Sequence, residues 1–172
     1  KEEFSKALRE GKSGIRFRQE IADLSFACHV GGWIDRDKLM KTAEGYFSEE
    51  NLLAMNEIMI LAGIASIDAW KDAGFQVTDP KDDHVNWDAG CIVGLGLSGM
   101  ETIAEKVIPR IDEGKVKRLG STMVEQIMAS SVSAKIGGLL ALGNQSSSNS
   151  SACNTGTEAI IIVENFARTL QE

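Results

Sequence analysis

The residue types best suited to covalent chemistry converge on NSSACNTGTEA, residues 149–159, around Cys153. A structural cysteine needs only an apolar slot. A nucleophile needs a lowered pKa, room for a substrate and a donor for the charge that develops. Thr155 followed three residues on by Glu158 has the spacing of a capping box, and Asn154 could cap instead. Either arrangement puts the sulfur at a helix N-terminus, where unpaired N–H groups and the positive dipole end favour thiolate. Ser150, Ser151, Ala152 and Gly156 are small enough for backbone and substrate to approach, and an N–H at such a turn can hold an oxyanion. A buried, inert Cys153 fits the same residue types, and they leave both readings open.

The other chemistry-bearing residues give weaker patterns. Gly94-x-Gly96-x-x-Gly99 matches a dinucleotide-binding fingerprint between a short strand and a helix. The acidic residue expected about 20 positions on should end a second strand. Asp112 and Glu113 instead fall in PRIDEGKVKR, a helix end or loop. The glycines therefore read as a turn packed tightly on other backbone. His84, in KDDHVNWD, reads as solvated, and His29 as an ordinary half-buried histidine. A Cys28–His29 dyad is disfavoured, because adjacent strand side chains face opposite ways. With no CxxC, no HExxH and no clustered His/Cys set, neither a metal site nor a cofactor is expected.

Around these residues the pattern predicts helices over 2–10, from Ser48 to Gly74, through METIAEKVIPRIDEG, through STMVEQIMASSVSAKIGGLLAL, and after Cys153. In the second, Ser48 is the cap, Glu49 and Glu50 suit the first turn, and Gly74 follows the end. Its apolar positions wrap most of its surface, so it is expected to be largely buried. Pro109 marks a break or kink. The helix from Ser121 is expected to end near Gly137 and Gly138. Short extended runs are expected at 15–18 and 26–34, a strand at CIVGLGL, and an extended approach at SSSNSSA. VTDPKDDHVNWDAG reads as a polar loop. This alternation suggests a layered α/β arrangement.

The 172 residues suffice for one domain with a sizeable core. A net charge of −7 argues against nucleic acid as the default partner. No apolar run reaches the roughly 18 residues that span a bilayer. No signal-peptide pattern opens the chain. Cys28, Cys91 and Cys153 lack the paired spacing of a disulfide framework, which fits a reducing, cytoplasmic setting. Both ends read as cut, as in a piece of a longer polypeptide.

Several of these stretches together resemble the β-ketoacyl-acyl-carrier-protein synthases, the ketosynthases of the thiolase-like superfamily. SSACNTGTEAI resembles their nucleophile motif, LREGKSGIRF an early segment, ASIDAWKDAGF a helix end, VGLGLSGMETI a glycine-rich strand–turn, and MASSVSAKIG the helix ahead of the nucleophile. The resemblance implies an α/β thiolase-like layered fold, with residues 1–172 an N-terminal ketosynthase domain lacking the first strand and the C-terminal half. It implies a condensing enzyme of fatty-acid or polyketide synthesis. Cys153 would accept an acyl group from a carrier-protein or coenzyme A thioester, then undergo decarboxylative condensation with a malonyl thioester. The family's two histidines and lysine lie in the missing half, so this piece alone should not condense. By the same resemblance Leu97 would gate the acyl pocket, and Met123 and Met128 would approach the acyl chain from a partner subunit. Lys117 and Arg118 would dock the acidic acyl carrier protein. The SSSNSSA strand would pair with its twin in a homodimer. Alternatives are a thiolase-fold relative using coenzyme A thioesters, a catalytically silent partner subunit, or a nucleotide-binding module. Departures are Glu50, Leu53 and Ala54 where some members carry Lys or Arg, the GNQSSSN approach, and Asn154 in place of a small residue.

Overall fold

Glu2 and Glu3 in the first turn and Lys6 and Arg9 in the last complement the dipole of helix α1, Glu2–Arg9, which Gly11 follows with a φ of 63°. Strand β1, Arg16–Phe17, then pairs antiparallel with β2, Val30–Gly31, around the short helix α2, Gln19–Asp23. Helix α3, Arg36–Ala43, starts where Asp35 accepts the Lys38 N–H at 3.0 Å. The computed structural model describes residues 2–79, 82 and 84–169. The chain divides into two units, Lys1–Thr42 and Ala43–Glu172. The elements up to this point make the first, apart from Ala43, the last residue of α3.

In the second unit the helix expected from Ser48 to Gly74 is two helices. Ser48 caps α4, Glu49–Leu53, through the Asn51 N–H at 3.3 Å. The chain breaks at residues 54–56, and Asn56 caps α5, Glu57–Asp72, by accepting the Met59 N–H at 2.9 Å. Asn56 is held there from afar: its amide donates to Gln126 O at 2.5 Å. Met59, Ile60, Gly63 and Ile67 are buried on α5, while Ala65 and Ala69 are exposed, so burial is one-sided rather than all round. Gly74 ends the segment at a φ of 86°.

Strand β3, Cys91–Gly94, leads into α6, Met100–Thr102, a π-helical turn over Ile103–Val107, and α7, Ile108–Asp112. The expected irregularity at Pro109 is this π turn, which absorbs the loss of the proline N–H. The next expected helix is also divided, into α8, Ser121–Ile127, and α9, Ser131–Leu139, which runs past both glycines. Strand β4, Ser146–Asn149, pairs in parallel with β3, with Cys91 opposite Ser146 and Gly94 opposite Asn149. Helix α10, Thr155–Thr169, follows a single 3-10 turn at Ala152–Asn154.

The core joins α5 to α9, and α9 to β3 and β4, around Phe47, Met59, Ile67, Val132, Ile136 and Leu140. α10 lies on β3. Most parallel strands read as apolar runs. β4 is serine-rich instead, and Ser148 Oγ bonds Ser133 Oγ of α9 at 3.0 Å. Gln126 is a fully buried polar hub. Its Oε1 accepts from Lys106 Nζ at 3.0 Å and Thr102 Oγ1 at 3.3 Å, and its Nε2 donates to Leu53 O at 3.2 Å. No helix among the described residues is long and apolar enough to cross a membrane.

Candidate nucleophile site

The surroundings of Cys153 are set by two of three nearby glycines. A Cβ on Gly94 would collide with the Thr155 carbonyl and stand 2.7 Å from Gly156 N. The last residue of β3 thus lies directly against the first turn of α10. A Cβ on Gly96 would meet Ala152 O at 3.8 Å. Gly99 has a φ of 67°, and a Cβ there would collide with Gln126 O and stand 2.6 Å from Ile127 Cα. The 95–99 loop thus runs from the start of α10 to the end of α8 and is wedged at its Gly99 end. Gly94 and Gly99 are accounted for by backbone pressed on backbone, whereas a Cβ at Gly96 would make only ordinary contact.

Ala152 itself is held at a φ of 51°, the left-handed region that non-glycine residues seldom occupy. The next residue is Cys153, and it is exposed. The Asn154 N–H donates to Ser151 O at 3.2 Å, and the Thr155 N–H to Ala152 O. α10 begins at Thr155, so Asn154 takes the flanking position. Glu158 bonds outside its own helix: the Asn149 amide donates to Glu158 Oε2 at 3.0 Å and to Thr155 O at 3.2 Å. Asn149, which sequence reasoning missed, so ties the end of β4 to the start of α10. Polar strand ends are too common to single it out. The Ser151 hydroxyl, whose Oγ meets no fully formed hydrogen bond, and the Asn149 amide hold the Glu158 carboxyl below the usual carboxylate range.

Leu97, at the tip of the wedged loop, is 72% exposed. Met123 on α8 is half-buried, and Met128, just past its end, is exposed. Met128 lines a cleft of about 340 Å³ with Met59, Ser131 and Lys135. Lys135 Nζ donates to Asn51 Oδ1 at 2.8 Å, and burial pushes its ammonium below the usual lysine range, with Glu125 opposing. Lys117 and Arg118 are exposed on the 3-10 turn Val116–Arg118, and the Arg118 carbonyl accepts from the Arg110 guanidinium. The loop wedge links the Cys153 turn to α8; Lys117 and Arg118 lie on a separate surface turn. His29 packs edge-on against Phe17, with ring centroids 6.0 Å apart, and His84 is exposed in its loop. Cys28 is exposed, and its Sγ faces Val30 O at 3.7 Å. Among the described residues no group of three His, Cys, Asp or Glu could hold a metal ion.

Residues 1–170 match the family described as beta-ketoacyl synthase, N-terminal domain. The chain is 29% identical over 159 residues to 3-oxoacyl-(acyl-carrier-protein) synthase 1 of Escherichia coli K12, covering 92% of the chain and 37% of that relative. It is 29% identical over 161 residues to the Haemophilus influenzae protein of the same description, covering 93% of the chain and 37% of that relative. The chain thus spans little more than a third of these relatives. A beta-ketoacyl synthase from Burkholderia phymatum superposes with a TM-score of 0.67 at 21% identity, over 97% of the chain and 40% of that structure. This likeness shows the fold, and it is the expected layered thiolase-like α/β arrangement.

Proposed function

We propose, for a chain that belongs to the beta-ketoacyl synthase N-terminal domain family, that Cys153 is the acyl-accepting nucleophile of a condensing enzyme of fatty-acid or polyketide synthesis. The observation that carries this reading is an exposed thiol one residue after the left-handed Ala152, at the head of the 15-residue α10. Such a turn presents the sulfur to a substrate beside the unpaired N–H groups of a helix N-terminus. The thiolate attacks a thioester carbonyl, the new C–S bond forms, and the carrier thiolate leaves. The acyl-enzyme is then attacked by the carbanion left when a malonyl thioester loses carbon dioxide. The Cys153 N–H is one oxyanion donor.

Acyl carrier protein is the proposed donor, with Lys117 and Arg118 as its docking pair, whose exposure suits that role. Leu97 gates the acyl pocket, and Met123 and Met128 reach the acyl chain across a homodimer. The outer edge of β4, unpaired among the described residues, suits a twin strand there. His29 and His84 are both remote in type from a catalytic pair, one stacked on Phe17 and one solvated. By the family resemblance the general acid–base groups, two histidines and a lysine, lie in the part of the relatives that this chain does not span, so residues 1–172 alone would not condense.

The test is substoichiometric iodoacetamide on the full-length protein, followed by intact mass and peptide mapping. Cys28 is an internal control, because it is exposed as Cys153 is. Faster alkylation of Cys153 than of Cys28, with protection by an acyl thioester, is expected. Equal rates at the two cysteines in folded protein overturn the reading.

A further inference from the structure

The first unit carries a cleft of about 690 Å³, lined by Arg16, Arg18, Trp33, Arg36 and Lys38 together with Asp35 and Asp37. The lining holds four cations against two carboxylates, in a chain whose net charge is −7. Asp35 is already engaged as the cap of α3, accepting the Lys38 N–H. Arg18 is oriented by two contacts: its guanidinium lies 4.3 Å from the Trp33 ring centroid and 2.9 Å from Glu20 Oε1. Its Nε is nevertheless buried without a partner, a donor that a bound acceptor would satisfy.

We propose that this cleft binds a phosphorylated small molecule of about nucleotide size. Guanidinium forks match phosphate oxygens in pairs. A bare phosphate would leave most of the cleft empty, since 690 Å³ falls in the range of sites for whole small ligands, roughly 300–1,000 Å³. Trp33 supplies a flat apolar wall beside the cations. The lining includes no residue of the Cys153 turn or of the Gly94–Gly99 loop.

The experiment is isothermal titration of the full-length protein with ADP, with inorganic pyrophosphate and with malonate at low ionic strength. It is repeated on Arg16→Gln and Lys38→Gln, which have no ion-pair partner among the described residues and should leave the unfolding midpoint unchanged. Saturable one-site binding of ADP, weaker binding of pyrophosphate, and a loss of roughly tenfold in ADP affinity in each variant are expected. Absence of ADP binding overturns the proposal. So does binding unaffected by both variants, which would place the nucleotide elsewhere, and so does malonate binding as tightly as ADP. Cys153 alkylation rates in the same variants should match the parent, so failure here is distinguishable from failure of the condensing role.

Discussion

The β3–α10 junction and the hairpin unit of residues 2–42 are built from opposite materials. At the junction, main chain meets main chain: Gly94 against Thr155 and Gly156, Gly99 against Gln126 and Ile127. In the hairpin unit each strand has two residues, and Phe4, Leu8, Leu24 and Phe26 are all exposed. Its shape rests on long side chains such as Arg18 laid over Trp33. Backbone contact leaves no slack, so the junction fixes the Cys153 turn by steric exclusion. Side-chain contact tolerates exchange, so the hairpin can vary its charges and its cleft more freely than the junction can vary its glycines.

A pair of identical substitutions tests this contrast most strongly. Gly94→Ala places a methyl on the Thr155 carbonyl and 2.7 Å from Gly156 N. Neither is a side chain that can swing away, so a loss of about 3 kcal/mol is expected in urea unfolding. Any protein that still folds should alkylate more slowly at Cys153. At Gly31 a Cβ meets nothing within 4 Å. Gly31→Ala should stay within about 0.5 kcal/mol of the parent. Equal losses at the two glycines would break the comparison.

The next largest effect belongs to the hub behind the junction. Gln126→Leu keeps the volume of the buried side chain but strands Lys106 Nζ, Thr102 Oγ1 and Leu53 O. Removing one partner of buried polar groups costs more than the bond itself returns, so about 2 kcal/mol should be lost in the same unfolding experiment. A loss near zero would show that water already serves those groups.

This hub also explains what could be read in advance. The Cys153 motif, the glycine turn, the strand at Cys91–Gly94 and the extended serine run are local patterns, and each lies where the sequence puts it. The breaks at residues 54–56 and 128–130 are not local. Apolar periodicity runs through both, and the first is held open by Asn56 reaching an acceptor 70 residues away, Gln126 O. No window of neighbouring residues contains that partner. The π turn before Pro109 was foreseeable as an irregularity, because a proline lacks an N–H whatever surrounds it. Asn149 carried no signal, since its role depends on how β4 ends against α10.

Asn149 gives a smaller, pH-dependent effect. The Ser151 hydroxyl and the Asn149 amide hold the folded-state Glu158 carboxyl below its unfolded value, near 4.3 for a free Glu. A depressed carboxyl stabilises the fold above the unfolded pKa, and that contribution is lost as pH falls through the folded one. The parent should therefore exceed Glu158→Gln in unfolding midpoint at pH 6 and lose that advantage on acidification through the lowered folded-state value. Asn149→Ala should shrink the difference at pH 6. A gap that does not change on acidification would place the role of Glu158 in packing rather than charge.

The smallest expected effect lies in the hairpin unit, and it sets the floor of the comparison. Arg18 touches the Trp33 ring at 4.3 Å and Glu20 at 2.9 Å, but the Trp33 and Glu20 side chains are largely open to solvent. Water competes for the guanidinium at such a site, so neither contact keeps the strength it would have in a dry interior. A double-mutant cycle of Arg18→Gln and Trp33→Leu, read by urea unfolding, should give a coupling of about 0.5 kcal/mol. That is small beside the loss expected at Gly94. A coupling above about 2 kcal/mol would mean that Arg18 and Trp33 interlock as firmly as buried partners do. The hairpin would then be as rigidly specified as the junction, and the freedom assigned to its charges would be gone.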